Sequence, residues 1–234
     1  MFADPDVMAV FAARGGFGSA RILGSLDYGA IRRCPKPLVG FSDTTALQLG
    51  IYSRTGMVSY SGVTLCADVS ASGMPEATET SLWNALMHGR FDDLAGVAAI
   101  RGRAAEGKLL GGCLSVIASL MGTGYMPDTS GALLFLEDVN EAPYRVDRML
   151  TQLRMAGVFD RVAGVVFGQF EGCDPEREEV EGTVEGVLRD FSTSVSAPVF
   201  WGLPYGHGEG RRVLPIGLRA AVDGSRGTLI IESQ

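Results

Sequence analysis

At 234 residues with 46% hydrophobic content, the chain is long enough for one large or two small domains with a buried core. Its net charge of −7 comes with no run of lysine or arginine, which argues against nucleic acid and anionic membrane surfaces and for a small-molecule or peptide ligand. The four cysteines, Cys34, Cys66, Cys113 and Cys173, form no C-x-x-C pair, so neither a zinc site nor a disulfide framework is indicated and a reducing cytoplasm suits them.

In chain order, residues 1–3 read as the end of a helix, Asp4-Pro5-Asp6 as a turn and residues 7–12 as a buried strand. The opening lacks the basic-then-apolar layout of a secretory signal, and no later stretch is long and apolar enough to span a bilayer. The glycine loop Arg14-Gly15-Gly16-Phe17-Gly18-Ser19 follows, then a helix through Ala20, Ile22 and Leu23. Strand, glycine loop and helix bring backbone amides close to an anion or a carbonyl oxygen. A nucleotide would also require an acidic residue ending a following strand, and none stands there. Glycines serving only a tight turn are the alternative.

Residues 38–41 have strand character, and residues 44–54 carry Leu47 and Ile51 at helical spacing before Gly56 stops them. Ser42 falls in the turn between. A serine there points its hydroxyl over the end of a sheet, beside the free N–H groups of a helix start that can stabilise an oxyanion. G-x-S-x-G would place glycine where Thr44 stands, and the competing reading is that Ser42 or Asp43 caps the helix.

Residues 57–64 are a strand candidate, residues 66–80 show little periodicity and read as a connection, and residues 81–88 form a short helix stopped by Gly89. A second unit begins near Lys108. Residues 114–121 read as a helix, 132–136 as a buried strand closed by Glu137 and Asp138, and Pro143 opens a helix to about Met155. Strand 162–170, helix 180–190 and strand 198–201 continue the β/α alternation. Segments 213–216, 218–222 and 228–231 make an antiparallel finish.

A serine nucleophile needs a base within roughly 2.6–3.2 Å in a competent complex. Of the two histidines, His88 ends an amphipathic helix, where imidazoles usually meet solvent or the last carbonyls. His207 lies in Leu203-Pro204-Tyr205-Gly206-His207-Gly208-Glu209-Gly210, where flanking glycines leave the ring unshielded. Glu137, at the carboxyl end of a strand, is the candidate third partner, with Asp138 and Glu141 as rivals that could equally serve the dipole of the Pro143 helix.

Five segments together resemble the LD-carboxypeptidase family of serine peptidases. They are Ala13-Arg14-Gly15-Gly16-Phe17-Gly18, Gly40-Phe41-Ser42-Asp43-Thr44-Thr45, Leu134-Phe135-Leu136-Glu137-Asp138-Val139, Pro143-Tyr144-Arg145-Val146-Asp147-Arg148-Met149-Leu150 and Gly202-Leu203-Pro204-Tyr205-Gly206-His207-Gly208. The resemblance implies an α/β fold, with a Rossmann-like amino-terminal domain joined to a carboxy-terminal β/α domain that has some antiparallel strands. The division expected is residues 1–65, a linker over 66–107, and 108–234 carrying Glu137 and His207. Family members open with further strand and helix units, so the first domain is expected to be truncated.

The resemblance further implies a Ser42, Glu137 and His207 triad, an oxyanion hole from the backbone N–H of Asp43 and of Gly15 or Gly16, no cofactor or metal, and a homodimer. The implied reaction is release of terminal D-alanine from murein tetrapeptides in the cytoplasm, through an acyl-enzyme. The substrate carboxylate asks for a cation, with Arg14, Arg145 and Arg148 as candidates by type. The alternatives are an immunity peptidase of the same family acting on a peptidyl-adenylate antibiotic, for which Trp83 and Trp201 are the available tryptophans, and a catalytically idle nucleotide- or peptide-binding relative. The family pattern is broken at Gly111-Gly112-Cys113-Leu114, where asparagine is usual at the third position.

Overall fold

The computed structural model describes residues 1–69, 73–175 and 182–233. Two mixed sheets carry the α/β fold. In the first, β1 (Val10–Phe11), β2 (Leu38–Gly40) and β3 (Ser59–Ser61) run parallel, and β10 (Leu214–Ile216) returns from the end of the chain to pair antiparallel with β3. Around it lie α1 (Ser19–Ile22), α2 (Tyr28–Arg33), α3 (Thr45–Thr55), α4 (Leu65–Asp68) and α5 (Glu76–His88). Asp27 caps α2 by accepting the Ala30 N–H at 2.8 Å.

The second sheet has the order β4-β12-β11-β6-β7-β8-β9-β5. Its centre is parallel: β6 (Ala104–Cys113), β7 (Ala132–Val139), β8 (Gly164–Glu171) and β9 (Val199–Trp201). The crossovers are α6 (Leu114–Leu120), α7 (Pro143–Met155) and α8 (Val184–Ser194). β11 (Arg219–Asp223) and β12 (Thr228–Ile231) add antiparallel strands. The end strands β4 (Leu94–Ala95) and β5 (Ala98–Arg101) are separated in the chain only by Gly96 and Val97, so the sheet curls until its two ends meet. The edges this leaves, β4 and β5, are short, two and four residues, which discourages pairing with another chain.

β7 explains the position of the core. Leu133, Leu134, Phe135 and Leu136 are all fully buried, the unbroken apolar run of a parallel strand covered on both faces. Each such side chain contributes on the order of 2 kcal/mol of burial. On α7, Val146, Leu150 and Leu153 turn inward and Met149 packs beside them, as their spacing requires.

Several elements differ from the sequence-based expectations. Residues 1–3 form a turn closed by Asp4 N–H on the Met1 carbonyl (3.1 Å), not a helix end. The first strand pairs over only two residues, because it lies at the edge of its sheet and is half-buried. The connection expected over 66–107 holds the end of α4, the whole of α5, and β4 and β5; residues 70–72 lie outside the described residues. α5 starts five residues before the expected helix, with Glu76 and Glu79 in its first turn, where the helix dipole favours acids. β7 does not stop before its carboxylates: Glu137 and Asp138 are buried within the strand. The helix expected over 180–190 is α8, opened by Thr183 accepting the Gly186 N–H at 3.1 Å, and residues 180 and 181 lie outside the described residues.

Candidate active site

Phe41 is still extended when the chain leaves β2, and Ser42 then takes φ of 63°, the left-handed region that non-glycine residues seldom occupy. Strain of this kind survives only where the surroundings fix it. Here the Thr44 hydroxyl donates to the Phe41 carbonyl at 2.9 Å and the Thr44 N–H reaches the same oxygen at 3.4 Å. That first bond leaves the N–H groups of Ser42 and Asp43 without partners inside the turn. Neither residue caps the helix. The Asp43 carboxylate instead accepts the Ser19 N–H at 2.9 Å, tying the glycine loop to the serine turn. Gly15 lies so close to Ser42 that a Cβ on it would be 2.9 Å from the serine Cβ and 3.1 Å from Oγ.

His207 reaches this turn from the loop after β9. Its Nε2 is 3.2 Å from Ser42 Oγ and its Nδ1 is 2.7 Å from Glu137 Oε2. With the Nδ1 proton donated to the carboxylate, Nε2 is left to accept from the serine hydroxyl. The imidazole also rests on the Phe41 ring, centroids 4.5 Å apart. Behind it, the fully buried Tyr205 shares a 2.7 Å hydrogen bond with the Ser61 hydroxyl of β3 and packs edge-on against Phe41 and Phe135. The loop is thus seated against both sheets.

Glu137 is completely buried. Burial pushes its pKa above the ordinary 4.5, the hydrogen bond and charge of His207 opposing the rise. Its Oε1 has no hydrogen-bond partner among the described residues. Of the three sequence candidates, Glu137 is the one that meets His207. Asp138 faces the start of α6, accepting the Ser115 N–H at 2.7 Å and its hydroxyl at 3.2 Å, and Glu141 pairs with Arg145 at 3.4 Å. His88 is exposed at the end of α5. Cys113, at the position where the family pattern has asparagine, is buried beside Ser115 (3.3 Å) and Asp138 (3.4 Å). Burial, then Asp138 and Glu137, drive its thiol pKa upward, so it stays neutral.

A cavity of 510 Å³ opens over the serine, lined among others by Arg14, Gly16, Ser42, His207 and Arg211. That is the size of a small-ligand pocket. Arg14 is exposed and donates to its neighbouring Gly15 carbonyl at 3.3 Å. Arg145 and Arg148 stand on α7, with their guanidinium carbons 5.9 Å and 5.2 Å from the Tyr144 ring, and do not line the cavity. Sequence reasoning missed Arg211, which pairs with Asp68, donates to the Gly62 carbonyl at 2.7 Å and stacks 4.8 Å over the Phe41 ring. Its place in the glycine-bearing His207 loop was the available signal. Trp83 on α5 and Trp201 on β9 do not line the cavity. Among the described residues, no group of three or more His, Cys, Asp or Glu is arranged to hold a metal, and no helix is long and apolar enough to cross a membrane.

Comparison with known proteins agrees over the length of the chain. Residues 1–62 match the LD-carboxypeptidase N-terminal domain and residues 106–222 the LD-carboxypeptidase C-terminal domain. A probable murein peptide carboxypeptidase of Bacillus subtilis is 37% identical over 236 residues, covering 100% of this chain and 74% of the relative. The crystal structure of muramoyltetrapeptide carboxypeptidase from Oxalobacter formigenes matches with a TM-score of 0.88 at 31% identity, covering 99% of this chain and 81% of that one. The microcin C7 self-immunity protein MccF of Escherichia coli is 27% identical over 264 residues, covering 99% of this chain and 75% of the relative. A structure of MccF in complex with aspartyl sulfamoyl adenosine matches with a TM-score of 0.87 at 26% identity, covering 99% of this chain and 77% of that one.

Proposed function

The chain belongs to the LD-carboxypeptidase family, and on that premise we propose that it is a serine peptidase that releases the terminal D-alanine of murein tetrapeptides. The reading is carried by the meeting of Ser42, His207 and Glu137, which are far apart in sequence, at 3.2 Å and 2.7 Å beside a cavity of suitable size.

In this mechanism His207 Nε2 takes the serine proton as Ser42 Oγ attacks the carbonyl carbon between the L-centre and D-alanine. The carbonyl oxygen becomes an oxyanion facing the N–H of Asp43 and of the Gly15-Gly16 turn, donors held ready by the fold. The imidazolium passes its proton to the leaving nitrogen, the C–N bond breaks and D-alanine departs. Water then gives a proton to His207 and attacks the acyl ester, restoring the serine hydroxyl. Glu137 holds the imidazole tautomer and balances its transient charge, so it must be ionised for the site to work.

Arg14, unpaired with any carboxylate among the described residues and open to the cavity, is the receptor for the substrate's terminal carboxylate. Four free cysteines fit a reducing cytoplasm, where such a peptidase would serve cell-wall recycling, and a homodimer is the assembly that the reading takes from the family resemblance.

The test is to incubate the purified chain with murein tetrapeptide and, separately, with a peptidyl-adenylate, following D-alanine and nucleotide release. D-alanine appearing with an equal amount of tripeptide supports the reading. Cleavage of the adenylate with the tetrapeptide left intact would transfer the chain to the immunity reading.

A further inference from the structure

The loop that carries His207 has glycine at 206, 208 and 210, and its backbone has little stiffness of its own. A base must nonetheless stay within about 0.5 Å of its productive position. What supplies the missing rigidity lies on β8. The backbone N–H of Gln169 donates to the Tyr205 carbonyl at 2.8 Å, its side-chain Oε1 accepts the Gly208 N–H at 3.1 Å, and its Nε2 donates to the Glu209 carbonyl at 3.3 Å. One residue therefore bonds the chain two positions before His207, one position after it and two positions after it.

The contact is close on both sides. A Cβ on Gly206 would be 2.6 Å from the Gln169 Cβ, and one on Gly208 would be 3.0 Å from its Oε1. The strand beneath is shaped to match. Between Leu136 and Asp138 of β7 stands one residue, Glu137, while between their partners Phe167 and Phe170 on β8 stand two, Gly168 and Gln169, so the extra residue of this irregularity is on the strand that grips the loop, level with Glu137.

We infer that Gln169 is a positioning residue that sets the place of the His207 imidazole between Ser42 and Glu137 by clamping residues 205–209, without touching substrate. The inference rests on the proposed peptidase reading for its kinetic consequence, but the clamp itself has a readout that does not.

Gln169→Met keeps the length and packing of the side chain and removes both side-chain hydrogen bonds. In the tetrapeptide assay it is expected to lower kcat by about 100-fold, the scale of a displacement of about 1 Å, with KM within a few-fold. Its thermal midpoint is expected to stay near that of the wild type. Because the chain has two histidines, His88→Asn assigns the imidazole signals in a proton and nitrogen NMR spectrum. The Nδ1 proton shared with Glu137 is expected as one downfield signal in the wild type, and is expected to broaden or vanish in Gln169→Met.

Should Gln169→Met not fold, Gln169→Glu, which keeps the acceptor for Gly208 and loses the donor for Glu209, takes its place with the same expected directions. A folded variant with wild-type kcat and an unchanged downfield signal overturns the inference. A wild type that shows the downfield proton but releases no D-alanine, with the proton lost in the variant, upholds the clamp and removes the peptidase reading instead.

Discussion

The turn that carries Ser42 and the loop that carries His207 meet across 3.2 Å, yet they are held by different means. The serine turn is local: Phe41 and Thr44 close it within four residues, and a left-handed serine is kept in place by the strand before it and the helix after it. The histidine loop is closed at its ends by the Arg212 N–H on the Pro204 carbonyl at 2.8 Å, but the residues next to His207 are held from other strands. Tyr205 reaches β3, His207 reaches β7, and residues 205–209 are bonded to β8. On the proposed reading, a site built this way has a nucleophile that is stiff on its own and a base whose accuracy belongs to the rest of the fold. Substitutions near Ser42 should therefore act through chemistry alone, and substitutions far from His207 in sequence should move it.

The largest effect that sharpens this contrast is expected at Glu137, which serves the base and not the turn. Glu137→Gln should lower turnover on the order of 10³-fold or more, because the amide NH2 can face Nδ1 and favour the wrong imidazole tautomer and the charge that balances the imidazolium is gone. The same change should stabilise the protein. A carboxyl whose folded-state pKa is raised above 4.5 favours folding most below that value, and the benefit fades as pH rises through the folded-state pKa. The thermal midpoint of Glu137→Gln should then exceed that of the wild type at neutral pH, the gap closing as pH falls below 4.5; equal midpoints at every pH would contradict the burial argument.

Next in size is Gly15→Ala, a test of the stiff side. The added methyl presses on Ser42 Cβ and Oγ, and about 100-fold should be lost from kcat with little change in melting. Arg14→Ala is expected to raise KM about tenfold for a substrate with a free terminal carboxylate and much less for its amide, a split read directly from steady-state kinetics. The smallest effect is expected from Tyr205→Phe. Losing its bond to Ser61 should cost about 1 kcal/mol of stability, seen in denaturant unfolding, and a few-fold in kcat.

The same contrast decides what could be read from the sequence. Ser42 could be singled out because strand, turn and helix follow one another within twenty residues. β7, β8, β9 and the crossover helices of the second sheet were legible from apolar runs and helical spacing, and α7 follows its Pro143 start closely, whereas β6 was read only as the opening of a unit near Lys108. Glu137 stood out only as one of three carboxylates, and its burial inside β7 ran against the reading of acids as strand ends. His207 was marked by its glycines. What holds it was not marked at all, since Gln169 and Arg211 act through contacts with residues up to 170 positions away, from Phe41 to Arg211, which no local pattern records. β4 and β5 escaped for a different reason: they are short and largely exposed, and exist because the curled sheet needs its ends joined.

The most direct measurement is the rate of D-alanine release from murein tetrapeptide by the purified wild type and by Ser42→Ala, with melting curves recorded alongside. We expect the alanine variant to melt like the wild type and to lose on the order of 10⁴-fold or more in turnover. A folded Ser42→Ala protein that still trims the tetrapeptide at the wild-type rate would contradict the assignment of Ser42 as the nucleophile.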